Sequence, residues 1–219
     1  MIPLYHDFTD ATVLIFGGGG VGVRKAKRFA AEADVVVVSP AFDDRFENPD
    51  VPAIECVRAA PDPEDVSAWF DRVDPALAVA ATDNSDLNAA VADVAADRNV
   101  LINQTDRAGG RSVGSVVVPA TVEDGSVSVA ISTGGQSPAL SRHLREQLEP
   151  ELDNAGAMAE LTGRLRAELK ESEPPATRRA MLRAVVRSPA VWKALHTGIA
   201  NAEKEATRVM QDHRTGKET

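Results

Sequence analysis

Short apolar runs alternate with helix-forming segments through the first hundred residues. Residues 12–16 (TVLIF) form an apolar, β-branched run between polar residues and a glycine cluster, which is typical of a buried parallel strand. Residues 23–33 combine strong helix formers with small apolar side chains at helical spacing, and residues 35–38 form a second β-branched run. The three segments predict a strand–helix–strand unit long enough for a parallel crossover.

The same alternation continues as far as residue 103. Further strands are predicted at residues 53–57, 76–81 and 100–103, with helices at residues 64–73 and 85–97. A repeated strand–helix order favours an α/β fold, in which a Rossmann-type, doubly wound parallel sheet carries helices on both faces.

After residue 106 the pattern changes, first to a hairpin and then to helices. Residues 115–122 and 126–132 predict two antiparallel strands around a turn at residues 123–125. Ser137 and Pro138 are typical of a helix start, with serine as the N-cap and proline in the first turn. The apolar stripes of this helix and of the helical region that follows consist of Leu140, Leu144 and Leu148, then Met158, Leu161, Leu165 and Leu169, then Met181, Leu182, Val185 and Val186.

Composition and charge narrow the class of protein. The 219 residues include 33 acidic and 24 basic side chains, for a net charge of −9, which argues against nonspecific nucleic-acid binding because that needs a basic stripe. Cys56 is the only cysteine and the four histidines are scattered, so an internal disulfide is excluded and no metal site is expected. Because no apolar run approaches roughly 18 residues and the first residues resemble no signal peptide, we expect a cytoplasmic protein without membrane contact.

The glycine cluster after the first predicted strand is the strongest local motif. Its residues match G-x-G-x-x-G between a strand and a helix, where loop backbone approaches a pyrophosphate at the positive end of the helix. A glycine-rich turn without a ligand is the alternative interpretation, but the surrounding strands and helix favour a dinucleotide site. The loop residues assigned to cofactor binding are Gly17, Gly19, Gly20, Val21 and Gly22.

The acidic residue that usually follows this fingerprint by about 20 positions, and binds the adenosine ribose, is missing. Ser39 stands near that position, so either Ser39 and the backbone contact the ribose or a phosphorylated ribose is accepted. Asp43 and Asp44 are interpreted as solvated loop acids rather than ribose ligands, and no arginine follows the strand until Arg45. We favour NAD over NADP.

Two further polar clusters lie where later strands end. Thr82 and Asp83 follow the fourth strand, where they are expected to cap the next helix, to lie beside the cofactor, or to do both. Asn103 ends the fifth strand and is likewise assigned to the cofactor site. Asp106 follows it, close to the crevice where such sheets bind substrates, and is the candidate catalytic residue.

Basic residues are concentrated after Asp106. Arg111, Arg142 and Arg145 follow it, and residues 133–138 begin a helix whose first amides are free to bind an anion. This set suits an anionic, polycarboxylate ligand, although Arg142 and Arg145 are equally expected to form surface ion pairs with the glutamates four residues later. The residues assigned to the substrate are Arg111, Thr133, Gly134, Gly135, Ser137 and Arg142.

Four segments in this order resemble one family. They read LIFGGGGVGVRKA, LAVAATDNSDLN, INQTD and VVVPATVEDGSVSVAISTGGQSPALSRHLREQLE, and the last is the most specific. The chain resembles the siroheme synthase family, specifically its precorrin-2 dehydrogenase and sirohydrochlorin ferrochelatase module. The family's essential aspartate falls on Asp106, a second cofactor loop falls on residues 39–42, and a serine that is phosphorylated in some relatives falls on Thr133. The resemblance therefore adds Ser39, Pro40, Ala41 and Phe42 to the cofactor site.

The resemblance implies a three-part subunit and a homodimer. The expected parts are an NAD-binding Rossmann domain at residues 1–113, a dimerisation element at residues 114–150 and a helical C-terminal region at residues 151–219. The implied reaction is NAD-dependent oxidation of precorrin-2 to sirohydrochlorin, followed in some members by insertion of ferrous iron as a second substrate. Asp106 then acts either as a general base or as a group that stabilises the developing positive charge of the macrocycle.

The chain departs from the family pattern in two places. The residues RAGGRSVG lengthen the segment between Asp106 and Pro119, so substrate contacts there are not carried over. The uroporphyrinogen methyltransferase domain of the fused members is missing, so we expect a separate protein to supply precorrin-2. A non-catalytic NAD-binding regulatory module and another NAD(P) oxidoreductase with a small substrate are the alternative functions.

Overall fold

A computed structural model describes residues 2–47, 54–105 and 114–215 of the chain. Contacts between residues divide the chain into two compact units, Met1–Val118 and Pro119–Thr219. The finer division into three parts stays a prediction.

The first unit contains a five-stranded parallel sheet in the order β3-β2-β1-β4-β5. In chain order, the sheet first grows from β1 to β2 and β3 on one side, and then continues on the other side of β1 with β4 and β5. The strand order therefore reverses between β1 and β4, which confirms the predicted Rossmann-type architecture. The strands are β1 (Thr12–Phe16), β2 (Asp34–Ser39), β3 (Ile54–Arg58), β4 (Leu77–Ala80) and β5 (Leu101–Gln104).

Three α-helices and two short 3-10 turns connect these strands. The α-helices are α1 (Gly20–Phe29), α2 (Val66–Val73) and α3 (Ser85–Asp97), and the 3-10 turns are Asp44–Phe46 and Pro63–Asp65. The sequence pattern places the start of α1 at Val23, which is three residues too late. The Val23 N–H already donates to the Gly19 carbonyl (3.0 Å), so the second half of the glycine loop is the first turn of the helix.

The central strand β1 is buried on both faces. Leu14 and Phe16 pack into a cluster with α2 and α3, whereas Val13 and Ile15 pack on the opposite face against α1, as the alternation of side chains along a strand requires. All four side chains have 0% exposure, and full burial of such a side chain stabilises the fold by about 1.5–3 kcal/mol.

The second unit begins with a hairpin of β6 (Ala120–Asp124) and β7 (Val127–Ile131), joined through Gly125 at φ +56°. The predicted start of β6 at Ser115 is wrong. Ser115 instead forms a parallel bridge to Ile102, because the Val116 N–H donates to the Ile102 carbonyl (2.8 Å). Pro119 then separates this bridge from the hairpin, since proline cannot donate to a strand ladder.

The rest of the second unit is helical. Its helices are α4 (Pro138–Glu151), α5 (Ala155–Ser172), α6 (Pro175–Arg187), α7 (Pro189–Leu195) and α8 (Ile199–Arg214). Met158, Leu161 and Leu165 of the predicted α5 stripe pack in one core with Val185 of α6 and with buried residues of α7 and α8. Leu169 and Met181 are also buried. Leu182 is only partly buried and Val186 is 43% exposed, so the predicted stripe of α6 is wider than the buried one.

Contacts at the start of α4 and at the start of α5 complete the unit. Helix α4 begins as predicted, with the Ser137 hydroxyl accepting the Leu140 N–H, but none of its residues is buried and Leu140 is 47% exposed. At the start of α5 the Gly156 N–H donates to Asp124 Oδ2 (2.9 Å). A Cβ on Gly156 would lie 2.4 Å from the Asp124 carbonyl oxygen, so the hairpin turn rests directly on α5.

No helix among residues 2–47, 54–105 and 114–215 is long and apolar enough to cross a membrane.

Two adjacent valines of α6 test the helical core. Val185 is fully buried and Val186 is 43% exposed, so the same substitution at each position isolates the effect of burial. We expect Val185→Ala to lower the free energy of unfolding by about 2–3 kcal/mol, and Val186→Ala to change it by less than about 1 kcal/mol. Urea unfolding followed by circular dichroism measures both, and equal losses would contradict the packing described here.

Candidate functional site

The glycine-rich loop joins the end of β1 to α1 at the carboxyl edge of the sheet. Gly17 has φ +115°, and a Cβ on it would lie 2.3 Å from the Ala81 carbonyl oxygen. A Cβ on Gly22 would lie 1.9 Å from the carbonyl oxygen of Gly17 itself. Only glycine fits at these two positions, and this lets α1 begin directly against the strand.

The amino end of α1 is open. Gly19 is its N-cap and provides no side-chain cap, and no acidic residue lies in the first turn. A Cβ built on Gly19 would meet no atom within 4 Å, so the N-cap position is open, whereas Gly20 in the first turn faces the guanidinium of Arg45. The first-turn amides of a helix have no partners within the helix, and together with the positive helix end they suit an anion such as a pyrophosphate. The assignment of Gly19, Gly20, Val21 and Gly22 to the cofactor stays a prediction.

The second loop, residues 39–42, packs on the glycine-rich loop. A Cβ on Gly18 would lie 2.4 Å from the Ala41 carbonyl oxygen and 2.9 Å from the Phe42 ring. The buried Ser39 hydroxyl donates to the same Ala41 carbonyl (2.7 Å), and Arg58 donates to the Pro40 carbonyl (3.1 Å). These hydrogen bonds hold the loop beside the open helix end.

Asp43 is ion-paired rather than a free, solvated acid. Its two carboxylate oxygens accept hydrogen bonds from Nε and Nη2 of Arg45, both at 2.8 Å, and Oδ1 also accepts the Arg45 N–H (3.0 Å). The hydrogen bond from the Arg45 side chain holds the pKa of the Asp43 carboxyl well below its usual range. The neighbouring Asp44 is exposed.

The third loop follows β4, and its helix cap differs from the prediction. Asn84, not Thr82 or Asp83, caps α3, because its Oδ1 accepts the N–H groups of Asp86 (3.0 Å) and Leu87 (3.1 Å). Asparagine and aspartate are equally good caps, so the sequence does not separate neighbouring positions.

Asn88, to which the sequence assigns no role, fixes this third loop. Its side chain accepts the Thr82 hydroxyl (2.8 Å) and donates to the Thr82 carbonyl (3.0 Å), and it is 2% exposed. A polar residue on the buried side of a helix was the available signal. Asp83 is left exposed at the tip of the loop, and Ala81 contacts Gly17.

Asn103 lies at the end of β5 with an unsatisfied acceptor. Its Nδ2 donates to the Val116 carbonyl (2.8 Å), which orients the amide, and Oδ1 has no partner among the described residues although the side chain is only 6% exposed. A buried acceptor without a partner costs about 1–3 kcal/mol. Across the parallel strands, Asn103 pairs with Val79, and Val79 pairs with Ile15. The Asn103 side chain therefore lies on the same face of the sheet as Ile15. It is suited to a donor group of a bound ligand.

The predicted substrate residues of the second unit lie at the start of α4. The Thr133 hydroxyl accepts the Ser137 N–H (3.2 Å), and Gly134 and Gly135 both have positive φ, so these residues form one tight loop. Arg142 forms the expected ion pair with Glu146 (2.8 Å) and remains 78% exposed, and Arg145 pairs with Glu149 (3.3 Å).

Two of the predicted residues, Asp106 and Arg111, lie outside the described residues. Within the described part of the chain, no group of three or more histidine, cysteine, aspartate or glutamate side chains is arranged to hold a metal ion.

Two protein families match this chain. The family described as "Putative NAD(P)-binding" matches residues 4–120, which is more than half of the chain. The family described as "Sirohaem biosynthesis protein central" matches residues 124–150, the region of the hairpin and α4.

Individual relatives agree with these matches. The chain is 32% identical to the precorrin-2 dehydrogenase of Methanosarcina barkeri over 97% of this chain and 94% of that protein. It is 33% identical to the siroheme synthase of Stutzerimonas stutzeri over 93% of this chain, but spans only 43% of that longer protein. The solved structure of SirC, a precorrin-2 dehydrogenase, has the same fold, with a TM-score of 0.69, 20% identity and coverage of 97% of this chain and 100% of that chain.

Two glycines separate the structural role of the loop from its binding role. We expect Gly22→Ala to lower the free energy of unfolding by at least about 2 kcal/mol, because its Cβ would overlap the Gly17 carbonyl oxygen. We expect Gly19→Ala to change stability by less than about 1 kcal/mol and to weaken dinucleotide binding about tenfold, because its Cβ would enter the open space. Thermal unfolding and NADH fluorescence titration measure the two effects. Unchanged NADH binding by folded Gly19→Ala would contradict the assignment.

Proposed function

Because this chain belongs to the precorrin-2 dehydrogenase family, we propose that it oxidises precorrin-2 to sirohydrochlorin with NAD as the electron acceptor. The substrate loses a hydride to the nicotinamide and a proton to the medium, so that one NADH and one proton form per turnover. The observation that carries the proposal is the open amino end of α1 at Gly19, in a chain whose relative of matching length is a precorrin-2 dehydrogenase.

The protein's own residues have three tasks on the cofactor side. The first-turn amides of α1 hold the pyrophosphate, and residues 39–42 flank the adenosine. Thr82 and Asp83, on the loop fixed by Asn88, lie towards the nicotinamide. Asn103 offers its free Oδ1 to a donor of the bound cofactor. We propose NAD rather than NADP, since neither β2 nor the loop directly after it ends in an unpaired basic residue.

Asp106 is the proposed catalytic residue. It follows the end of β5 by two positions in the sequence, and β5 lies beside β4, which lies beside β1, the strand that leads into the glycine-rich loop. A carboxylate there either accepts the departing proton or stabilises positive charge on the macrocycle. Both roles require the negative charge, and the amide of asparagine performs neither.

The loop at residues 133–137, Arg142 and Arg111 are the proposed contacts for the substrate's carboxylates. Positive φ at Gly134 and Gly135 turns the loop sharply before α4, and the guanidinium of Arg142 keeps most of its surface exposed despite its pair with Glu146. Arginine and free helix amides are the groups that bind carboxylates in fixed geometry.

An anaerobic assay tests the proposed reaction. The protein, precorrin-2 made in situ and NAD are mixed, and the absorbance of sirohydrochlorin and the fluorescence of NADH are recorded together. We expect both to rise in equal amounts, and Asp106→Asn to slow the reaction by at least about 100-fold while still binding NADH. Ferrous iron added after the product has formed tests the chelatase step of some family members.

The controls of this assay separate the alternative functions. A variant that binds NADH normally and shows no loss of rate would remove Asp106 from catalysis. A wild-type protein that binds NADH but leaves precorrin-2 unchanged would instead indicate the regulatory module or another oxidoreductase.

We also propose that the hairpin and α4 form a homodimer interface. A two-stranded hairpin is marginally stable alone, and in this chain α4 covers it without burying any of its own residues. Leu140 is 47% exposed, and Leu144 and Leu148 are only half-buried, so the apolar stripe of α4 has no complete cover in the described chain. A second copy that presents the same surface would cover it.

Sedimentation velocity tests the dimer. At micromolar concentration the protein is expected to sediment at twice the 23.2 kDa mass of the chain. Leu140→Asp is expected to give a folded monomer, because it places a charge in the apolar stripe. Ile199→Asp is the matched control, since Ile199 is 38% exposed at the start of α8 and lies outside the proposed interface. A monomeric wild type would exclude the interface.

A further inference from the structure

The Asp43–Arg45 ion pair lies in the loop after β2, next to the strand end where dinucleotide sites usually have a ribose-binding acid and this chain has none. Strand β2 ends at Ser39, whose hydroxyl is engaged with the Ala41 carbonyl. Asp43 follows this strand end in the loop, beyond the position at which the ribose-binding acid usually occurs.

The loop geometry places this pair against the first turn of α1. A Cβ on Gly20 would lie 2.9 Å from Nη2 of Arg45 and 3.9 Å from Oδ2 of Asp43. The Asp43 N–H donates to the Gly18 carbonyl (2.9 Å), which ties the pair to the glycine-rich loop. The absence of a side chain at Gly20 therefore leaves room for the guanidinium, and any larger residue would displace it.

The charges in the pair are matched. Asp43 engages Nε and Nη2 of Arg45 with both of its oxygens, so the guanidinium that lies beside the helix start is already neutralised. The other nearby guanidinium, that of Arg58, donates to the Pro40 carbonyl and lies 5.7 Å from the centre of the Phe42 ring. A carboxylate in this place has lone pairs left to accept hydrogen bonds from ribose hydroxyls while it cancels the charge of the guanidinium, whereas a released arginine binds a 2′-phosphate.

We propose that the Asp43–Arg45 pair determines which nicotinamide dinucleotide binds. Asp43 accepts the adenosine ribose hydroxyls of NAD, and it also withholds Arg45 from the 2′-phosphate of NADP. Arg45 is a positioning residue that fixes the carboxylate against α1. This inference rests on the proposed function of the glycine-rich loop as a dinucleotide site.

Direct titration with NADH and NADPH, followed by nicotinamide fluorescence, tests the pair without the tetrapyrrole substrate. The wild type is expected to bind NADH at least about tenfold more tightly than NADPH. Asp43→Ala is expected to weaken NADH binding several-fold and to strengthen NADPH binding at least about tenfold, because Arg45 is released. Asp43→Asn is expected to shift the ratio of NADH to NADPH affinity in the same direction. Because its amide oxygen still accepts the Arg45 N–H, this variant tests the pair even if Asp43→Ala does not fold.

Two further variants make the test specific. Adding Arg45→Ala to Asp43→Ala is expected to abolish the gain in NADPH binding. Asp44→Ala removes the same charge from the exposed neighbouring position and is expected to leave both affinities unchanged.

Three results would overturn the inference: a wild type that prefers NADPH, Asp43 variants whose NADH to NADPH ratio stays within about twofold of the wild type, or an Asp44→Ala variant with the same shift. If the pair behaves as expected but precorrin-2 is not oxidised, the proposed function fails and this inference stands. If precorrin-2 is oxidised and the ratio does not move, the inference alone fails.

Discussion

The first unit depends on how closely α1 approaches the end of β1. The space between Gly22 and the Gly17 carbonyl admits only a hydrogen atom, and this contact sets both the position and the direction of the helix. With the helix held there, its amino end opens at Gly19, while the Ala41 and Ala81 carbonyls close over Gly18 and Gly17. One packing constraint therefore gathers three separate loops at the edge of the sheet, and the candidate cofactor site lies where they meet.

Two arginine–carboxylate pairs in this chain differ in how firmly the backbone around them is fixed. Arg142 and Glu146 are neighbours on an exposed helix face, where solvent screens their charges and both side chains are free to adopt other rotamers. Asp43 and Arg45 lie two residues apart, and the backbone of Asp43 is hydrogen-bonded to Gly18. The second pair therefore has a fixed place relative to the glycine-rich loop.

Most of the fold follows from local pattern, and the differences lie where a distant contact decides. Helix α3 has the predicted bounds because helix formers and a good cap agree, and β1 has them because an apolar run ends at glycines. The early start of α1 was missed because glycine has low helix propensity, which the contacts of the loop override. The segment after Gly114 was assigned to the hairpin because its composition suits a strand, and only the bridge to Ile102 shows which sheet it joins.

The site was predicted to a smaller extent than the fold. The glycine-rich loop follows β1 as the fingerprint predicts, and residues 39–42, which the family resemblance assigns to the cofactor, lie in contact with it. The Asp43–Arg45 pair and the Asn88 contacts to Thr82 were not predicted, because each depends on side-chain directions that spacing does not determine. Asp106 and Arg111 remain assignments from sequence.

The contact between the hairpin turn and Gly156 has a consequence for how the second unit opens. Because the Asp124 side chain and backbone both rest on the first turn of α5, the hairpin cannot separate from the helices without exposing that turn. Hairpin and helices therefore form one cooperative unit, whose amides exchange with solvent through a shared opening. Any side chain at position 156 would force the hairpin turn and α5 apart, because its Cβ would lie 2.4 Å from the Asp124 carbonyl oxygen.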